Sequence, residues 1–229
     1  MGTVKEILAL HGWAVSTEKW ESISKELSKK GIKLNLPNIP VLTEKADKAW
    51  DLNNYVSWLK KQIGTKKVVL LGHSNGGRIA LAFAQKYPEN LKKIILIDSA
   101  GIYHNELPLK IKRFIFKGLA SVGKKITTSE SLRKYLYKLT GESDYKKANH
   151  IQRQTMVNLI SEDLQPMLGN IKTPTLIIWG ENDKATPLSD GKLMQKLIKG
   201  AKLKVINGAK HSPHFTHPKE VAEIINEYL

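Results

Sequence analysis

The sequence predicts an α/β fold in which a mostly parallel sheet of about six strands carries helices on both faces. Two observations support this prediction. Segments made almost wholly of aliphatic residues recur at 68–71, 94–97 and 176–179, and such segments are typical of strands buried on both faces. Helical patterns with one apolar face lie between them, as parallel strands require, because each connection must cross the sheet.

The segment 1–101 predicts four strands and the helices between them. Residues 7–10 form the first strand, and the alternating segment 32–36 predicts a half-buried second one. A long helix is predicted over 43–63, because apolar residues recur there every three or four positions. The strands at 68–71 and 94–97 are separated by a helix rich in Ala, a strong helix former.

The pattern changes after residue 101. Residues 102–163 contain helical patterns and no strand pattern, whereas strands and helices alternate again from 174 to a last helix that begins at Pro218. We therefore expect two parts. The α/β core comprises residues 1–101 and 164–229, and residues 102–163 form a helical cap insertion.

The composition excludes several classes of protein. The chain has 229 residues, 41% of them hydrophobic, and no Cys, so disulfides, thiol catalysis and Cys-ligated metal sites are excluded. His, Asp and Glu show no metal-binding spacing, and we expect neither a metal nor a cofactor. The apolar segments are too short to span a membrane, and no signal-peptide pattern precedes the first strand. A cytoplasmic location is expected.

The net charge of +16 raises the question of a nucleic-acid or membrane partner. The Lys and Arg residues are spread along helical segments and are not interleaved with aromatic residues. We therefore expect a solvated basic surface and no specific nucleic-acid site. The sequence makes no prediction of an oligomeric state.

One turn has the sequence pattern of a strand-to-helix turn that holds a nucleophilic serine. In the segment Gly72-His73-Ser74-Asn75-Gly76-Gly77, a serine lies between a buried strand and a helix. Glycines two positions before and two after it allow close backbone approach, and the sharp turn exposes the Ser74 hydroxyl above the sheet edge. The free N–H groups at the start of the helix point at whatever that hydroxyl attacks. Ser74 as an ordinary turn residue is the alternative.

A serine nucleophile needs a base and an acid, and both are sought where strands of a parallel sheet end. Asp183 follows the strand at 176–179, and His211 follows the next strand, at 203–206. Ser74, Asp183 and His211 therefore occur in the order used by nucleophile-elbow hydrolases. Asp98, which ends the strand at 94–97, is a rival acid or a residue that holds its own loop. His214 is a rival base.

Four segments together resemble the α/β-hydrolase fold superfamily over essentially the whole chain. His11-Gly12-Trp13 is similar to its oxyanion loop, and residues 72–77 to its nucleophile elbow. Gly180-Glu181-Asn182-Asp183 resembles its acid loop, and Ala209-Lys210-His211 its histidine loop. The insertion lies where this superfamily carries its cap. Because one strand alone, at 7–10, precedes the segment 32–36, we expect the core to lack the first hairpin of larger members.

The resemblance implies a serine hydrolase, carboxylesterase-like, that cleaves a small ester or related acyl substrate through an acyl-enzyme intermediate. Its catalytic residues would be Ser74, Asp183 and His211, with the backbone N–H groups of Trp13 and Asn75 as the oxyanion hole. Residues that could line the acyl pocket are His214, Phe114, Tyr135 and Met156. The alternatives are a non-catalytic ligand-binding receptor of the same fold, a C–C bond hydrolase, a thioesterase or an acyltransferase.

Overall fold

The computed structural model describes residues 5–13, 18–103 and 148–229. Within them six strands form one sheet in the order 2-1-3-4-5-6, and every strand pairing in this described sheet is parallel. The predicted fold class is thus confirmed. The strands are β1 (Lys5–Leu10), β2 (Ile32–Asn35), β3 (Val68–His73), β4 (Leu91–Ile97), β5 (Thr175–Gly180) and β6 (Lys202–Ile206).

Helices connect these strands and cover both faces of the sheet. The first three α-helices are α1 (Glu21–Ser28), α2 (Leu52–Ile63) and α3 (Asn75–Lys86). The later ones span His150–Ile160, Leu188–Leu197, Pro213–Thr216 and Pro218–Tyr228. Short 3-10 helices occur at Glu18–Trp20, Pro88–Asn90 and Gln165–Asn170.

The central strands divide their side chains between two apolar layers. On β4, Ile94 and Leu96 pack with α2 and α3, whereas Ile95 and Ile97 pack with α1 and the C-terminal helix. All four of these side chains are fully buried. Successive residues of a strand point to opposite faces, so an uninterrupted aliphatic segment is what a strand covered on both faces requires. The core thereby fixes the sheet, and the strand ends are left for the site.

The helix predicted over 43–63 is wrong in its first part, because α2 begins at Leu52. Asp51 is its N-cap and forms a capping box with Asn54, through the bonds Asn54 N to Asp51 Oδ1 and Asp51 N to Asn54 Oδ1. The preceding segment makes contacts that a helix would prevent. The Trp50 N–H donates to Thr155 Oγ1 at 2.9 Å, and the Trp50 carbonyl oxygen accepts from Asn158 Nδ2 at 3.1 Å.

The described parts of the predicted insertion are residues 102–103 and 148–163, and the second contains the helix His150–Ile160. This helix packs over the segment before α2 through the Trp50 contacts and through a bond from Gln152 Nε2 to Val41 O at 3.1 Å. The Leu164 N–H donates to Gly101 O at 3.0 Å, so the two ends of the insertion meet. In the described part of the chain, no helix combines the length and hydropathy needed to cross a bilayer.

Candidate active site

Ser74 lies in the turn between β3 and α3, at the carboxyl edge of the sheet. Its backbone has φ 52° and ψ −118°, a conformation that costs an L residue of order 1–3 kcal/mol. The surrounding backbone holds it there. The N–H groups of Gly77, Arg78 and Ala100 donate to the Ser74 carbonyl oxygen, and the Ser74 N–H donates to Ile97 O at 3.1 Å.

Close backbone approach explains the glycines around this serine. A Cβ on Gly72 would lie 2.6 Å from the backbone of the first turn of α3, and one on Gly76 would overlap the carbonyl oxygen of Leu10 in β1. A Cβ on Gly12 would lie 2.9 Å from the Cβ of Ser74. The segment that follows β1 is therefore packed directly against the turn that carries Ser74.

Asp183 and His211, which follow β5 and β6, form a hydrogen bond of 2.7 Å between His211 Nδ1 and Asp183 Oδ2. The Thr186 hydroxyl donates to the same oxygen at 2.7 Å, and Oδ1 accepts the N–H groups of Ala185 and Thr186 at 2.7 and 3.1 Å. The Asp183 side chain is fully buried, whereas that of His211 is 21% exposed. An ionised carboxylate only accepts, so Nδ1 carries the proton and Nε2 of the neutral ring is the acceptor.

His73, the last residue of β3 and the residue before Ser74, has its ring next to that of His211. The His73 and His211 ring centroids are 5.0 Å apart. In the described residues no hydrogen bond joins Ser74 Oγ to His211, and such bonds often tighten only when substrate binds. The structure thus brings Ser74, His211 and Asp183 to one edge of the sheet, with the latter two already bonded.

Asn75 and Trp13, the two predicted oxyanion-hole residues, line the same cavity as Ser74. Asn75 is the first residue of α3, where backbone N–H groups lack an acceptor within the helix. His11 Nδ1 lies 2.8 Å from the Gly12 carbonyl oxygen, and burial lowers the pKa of His11. A neutral ring that donates from Nδ1 thus fixes the loop next to Trp13.

A small cavity of about 30 Å³ opens beside Ser74. The predicted lining residue Met156 lies in its wall, while Phe114 and Tyr135 lie outside the described residues. Arg78 is 4% exposed, and its guanidinium donates to Glu162 O at 2.5 Å. The described wall is mostly apolar and consists of Trp13, Ser74, Asn75, Arg78, Ala100, Met156, Leu159 and Ile160.

His214 lies behind the serine turn rather than among the described residues of the cavity wall. It is fully buried, with ring centroids 4.4 Å from Trp20, 4.4 Å from His73 and 3.8 Å from Phe215. Among the residues that the structure describes, neither of its ring nitrogens has a hydrogen-bond partner. Burial, and secondly the nearby His211, hold the pKa of His214 well below its usual range. It is therefore a neutral packing residue in this structure.

Asp98, the rival acid, lies fully buried at the carboxyl end of β4. Its Oδ1 accepts the N–H of Gly180 at 2.8 Å, and its Oδ2 accepts the N–H of Ser212 at 2.9 Å. Burial raises the pKa of Asp98 to about 7. In the described part of the chain, Asp183 and not Asp98 is hydrogen-bonded to His211.

Donor atoms of His73, Asp98 and His211 lie within 4.8 Å of one another, which is the one cluster of potential metal ligands among the described residues. Both Asp98 oxygens already accept backbone N–H groups, and His211 Nδ1 faces Asp183. The remaining member, His73, has its Nε2 3.3 Å from Ser212 Oγ. These hydrogen bonds explain the grouping without a cation.

Thr186 is a site residue that the sequence-based reasoning missed. Its hydroxyl donates to Asp183 and lies 3.3 Å from His211 Nδ1, and the hydroxyl oxygen is also 3.1 Å from Asp98 O. The sequence does contain a pattern that could have indicated Thr186. An Asp that bonds backbone N–H groups two and three residues later forms a local turn, and a hydroxyl residue at the third position can add to it.

A family model described as the alpha/beta hydrolase fold matches residues 6–218 of the chain. The chain belongs to the alpha/beta hydrolase fold family.

Two curated members of the family span the whole chain. The chain is 25% identical over 254 residues to 2-hydroxy-6-oxo-6-phenylhexa-2,4-dienoate hydrolase of Burkholderia cepacia, covering 100% of this chain and 88% of that protein. It is 26% identical over 260 residues to the monoacylglycerol lipase ABHD6 of Homo sapiens, covering 100% of this chain and 76% of that protein.

Solved structures of the alpha/beta hydrolase fold superpose on the chain. One is a thermophilic esterase from Thermogutta terrifontis with malate bound, at a TM-score of 0.72 and 21% identity, covering 99% of this chain and 90% of that one. At this identity the likeness concerns the fold. Together with the family match, it makes the chain a hydrolase of the alpha/beta fold.

Proposed function

We propose that the chain is a serine hydrolase that cleaves a small ester or related acyl substrate through Ser74, His211 and Asp183. The observation that carries the proposal is the 2.7 Å bond between His211 Nδ1 and Asp183 Oδ2, because it leaves Nε2 as the basic nitrogen at the same edge of the sheet as Ser74. A serine without such a base is a weak nucleophile.

The reaction follows from these roles. His211 Nε2 takes the proton of the Ser74 hydroxyl as its oxygen attacks the substrate carbonyl carbon. The N–H groups of Trp13 and Asn75 stabilise the oxyanion. The imidazolium, supported by Asp183, then returns its proton to the leaving oxygen, and the acyl group stays on Ser74. Water, deprotonated by His211, attacks the carbonyl carbon of the acyl-enzyme. The bond from that carbon to Ser74 Oγ then breaks, the His211 imidazolium returns the proton to Ser74 Oγ, and the acid leaves.

The apolar wall of the cavity favours a small acyl group. Met156, Leu159 and Ile160 from the helix His150–Ile160 face Ser74 across a space of about 30 Å³. We propose that this helix belongs to a cap formed by residues 102–163, since the bond from Leu164 N to Gly101 O brings the ends of the insertion together. The cap would then set the acyl range.

Two similar proteins favour an ester as the substrate, and a third favours cleavage of a different kind of bond. Human ABHD6 is named a monoacylglycerol lipase, and the Thermogutta terrifontis structure an esterase. The Burkholderia cepacia relative is named a hydrolase of 2-hydroxy-6-oxo-6-phenylhexa-2,4-dienoate and aligns with the whole chain. Cleavage of a C–C bond in such a compound is therefore the second candidate function.

Covalent labelling and turnover test the proposal together. The chain is incubated with a fluorophosphonate, and mass spectrometry identifies the labelled residue, which we expect to be Ser74. Turnover is measured on p-nitrophenyl esters of increasing acyl length, on one thioester and on 2-hydroxy-6-oxo-6-phenylhexa-2,4-dienoate. Faster turnover of that last compound than of any ester would favour the second candidate.

Ser74→Ala should lose about 10⁶-fold in kcat, as when one member of a catalytic triad is removed from a comparable hydrolase. Ser22→Ala, which changes an exposed serine of α1 in the same way, is the matched control and should keep the parent rate. Turnover by Ser74→Ala near the parent rate would contradict the proposed nucleophile.

A further inference from the structure

We propose that Asp98 is a positioning residue, whose carboxylate joins the acid loop to the histidine loop and thereby holds His211 in place for catalysis. Here the acid loop means residues 180–187, and the histidine loop means residues 207–212. The inference rests on the proposed function, since it concerns the geometry of the same site.

The carboxylate of Asp98 bonds the backbone of both loops at once. Oδ1 accepts from the N–H of Gly180, the last residue of β5 and the first of the acid loop, at 2.8 Å. Oδ2 accepts from the N–H of Ser212, the residue after His211, at 2.9 Å. Because the two donors lie on different strand connections, one rigid side chain fixes the distance between them.

A second contact from the same residue reaches the catalytic acid. The Thr186 hydroxyl lies 3.1 Å from Asp98 O and donates to Asp183 Oδ2 at 2.7 Å. Asp183 Oδ2 in turn accepts from His211 at 2.7 Å. Asp98 therefore touches both sides of the acid–histidine pair, through its backbone on one side and its carboxylate on the other, without itself bonding the His211 ring.

The backbone of this region is strained where the carboxylate holds it. Asp98 has φ 43° and Ser212 has φ 137°, both in the region that favours glycine. Strained conformations persist when neighbouring contacts determine them. The bond between Asp98 Oδ2 and the Ser212 N–H joins these two strained residues, so its loss should let the histidine loop relax away from the serine turn.

The function of this bond depends on the charge of Asp98. Three titratable groups face it: His73 from β3, Asp183 from the acid loop and His211 from the histidine loop. Burial raises the pKa of Asp98 to about 7, the His211 charge lowers it and the Asp183 charge raises it. A protonated carboxyl has one good acceptor oxygen and one donor, so it cannot accept both N–H groups equally.

Asp98→Asn tests the proposal, because an amide keeps one acceptor oxygen and replaces the other by a donor. We expect kcat to fall by about 10²-fold with KM near the parent value, as for a displacement of about 1 Å in a catalytic group. Any part of the kcat/KM profile that follows the ionisation of Asp98 near pH 7 should be missing from the variant, whereas the dependence on neutral His211 should remain. Asp190→Asn, the same change at another buried Asp, is the matched control and should keep the parent pH profile.

Two outcomes would overturn the proposal. A kcat of Asp98→Asn equal to that of the parent would show that the carboxylate does not position His211. A loss as large as that of Asp183→Asn would make Asp98 the catalytic acid itself instead of a positioning residue.

NMR of the parent chain gives a readout that needs neither turnover nor a folded variant. The amide protons of Gly180 and Ser212 are followed between pH 5 and pH 9. We expect both to shift with one common midpoint near 7, as two donors to one titrating carboxylate would. Amide shifts that stay constant over this range would overturn the proposed dependence of the bridge on the charge of Asp98. A parent chain that resists fluorophosphonate but shows the common midpoint would contradict only the proposed function.

Discussion

The hydroxyl of Thr186 and the amide N–H of the same residue both bond the carboxylate of Asp183, at 2.7 Å and 3.1 Å. With the N–H of Ala185 and the ring of His211, four donors surround this one carboxylate. A buried charge is tolerated only when it is so satisfied. The acid of the proposed triad is therefore held in place before any substrate binds.

Asp183→Asn should lower kcat by about 10⁴-fold, because the amide cannot hold His211 in the required tautomer or support the imidazolium. Thr186→Val is the comparison variant, since it removes the hydroxyl but keeps the backbone N–H to Asp183. Its loss in kcat should be much smaller. Steady-state kinetics on p-nitrophenyl acetate measure both losses in kcat. A larger loss in Thr186→Val than in Asp183→Asn would contradict Asp183 as the acid.

His211→Ala should lose nearly all ester turnover, by about 10⁶-fold in kcat, because Ser74 then has no base. His214→Leu should keep most of the parent kcat, since its ring packs against Trp20 and Phe215 behind the serine turn. The pH profile of kcat/KM is measured for both variants. An inactive His214→Leu beside an active His211→Ala would show that the base lies three residues further along.

Acid should destabilise the fold through its buried histidines. Burial holds the pKa values of His73 and His214 well below 6.5, so the unfolded chain binds more protons than the folded one once the pH falls below that value. Urea unfolding of His214→Leu and the parent is compared from pH 8 to pH 5. The free energy of unfolding of His214→Leu, taken relative to that of the parent, should rise as the pH falls. The control is His150→Leu, which changes an exposed ring and should show no such trend.

Asp98 should have the opposite effect on the pH dependence of stability: it should destabilise the fold as the pH rises. Its pKa is raised from 3.8 to about 7, so the folded chain binds the extra proton between these values and loses stability as the pH rises through them. The free energy of unfolding of Asp98→Asn relative to the parent should therefore rise by about 3 kcal/mol from pH 4 to pH 7. Urea unfolding at each pH measures it. A pH-independent difference would show that Asp98 does not titrate in this range.

Met156→Trp should narrow the range of acyl groups, because the larger side chain fills the cavity beside Ser74. The ratio of kcat/KM for a butyryl ester to that for an acetyl ester should fall. Met156→Leu, which conserves volume, should leave the ratio unchanged. An unchanged ratio in Met156→Trp would show that the acyl group binds elsewhere.

The strands and the positions of the site residues could be predicted from the sequence, because each depends on a local pattern. An aliphatic segment such as Ile94–Ile97 is compatible only with burial on both faces, and the residues that follow such strands meet at one edge. This rule predicts Asp183 and His211 at that edge, and the glycine pattern of the turn at 72–77 predicts Ser74 there. The bond between Asp183 and His211 then required only that two neighbouring strands, β5 and β6, be parallel.

Features that depend on distant contacts could not be predicted in this way. The start of α2 is moved to Leu52 by bonds from Trp50 to Thr155 and Asn158, more than a hundred positions away. The contacts of Asp98 with Gly180 and Ser212 likewise join three separate strand connections. No local periodicity carries information about either, because the partners come together only when the sheet has formed.

Positive φ angles are divided between two kinds of residue in this chain. At Gly31, Gly64, Gly200 and Gly208, on turns with no atom within 4 Å of a Cβ position, glycine takes the conformation at no steric cost. At Ser74, Asp98 and Ser212 the same region of φ is occupied by residues that have side chains. Glycine at those three positions would relieve strain of order 1–3 kcal/mol each. Glycine would also remove the Ser74 hydroxyl and the Asp98 carboxylate, and the N–H groups of Gly180 and Ser212 would then lose their acceptor. The strain at these positions is therefore the cost of placing functional side chains where the backbone itself favours glycine.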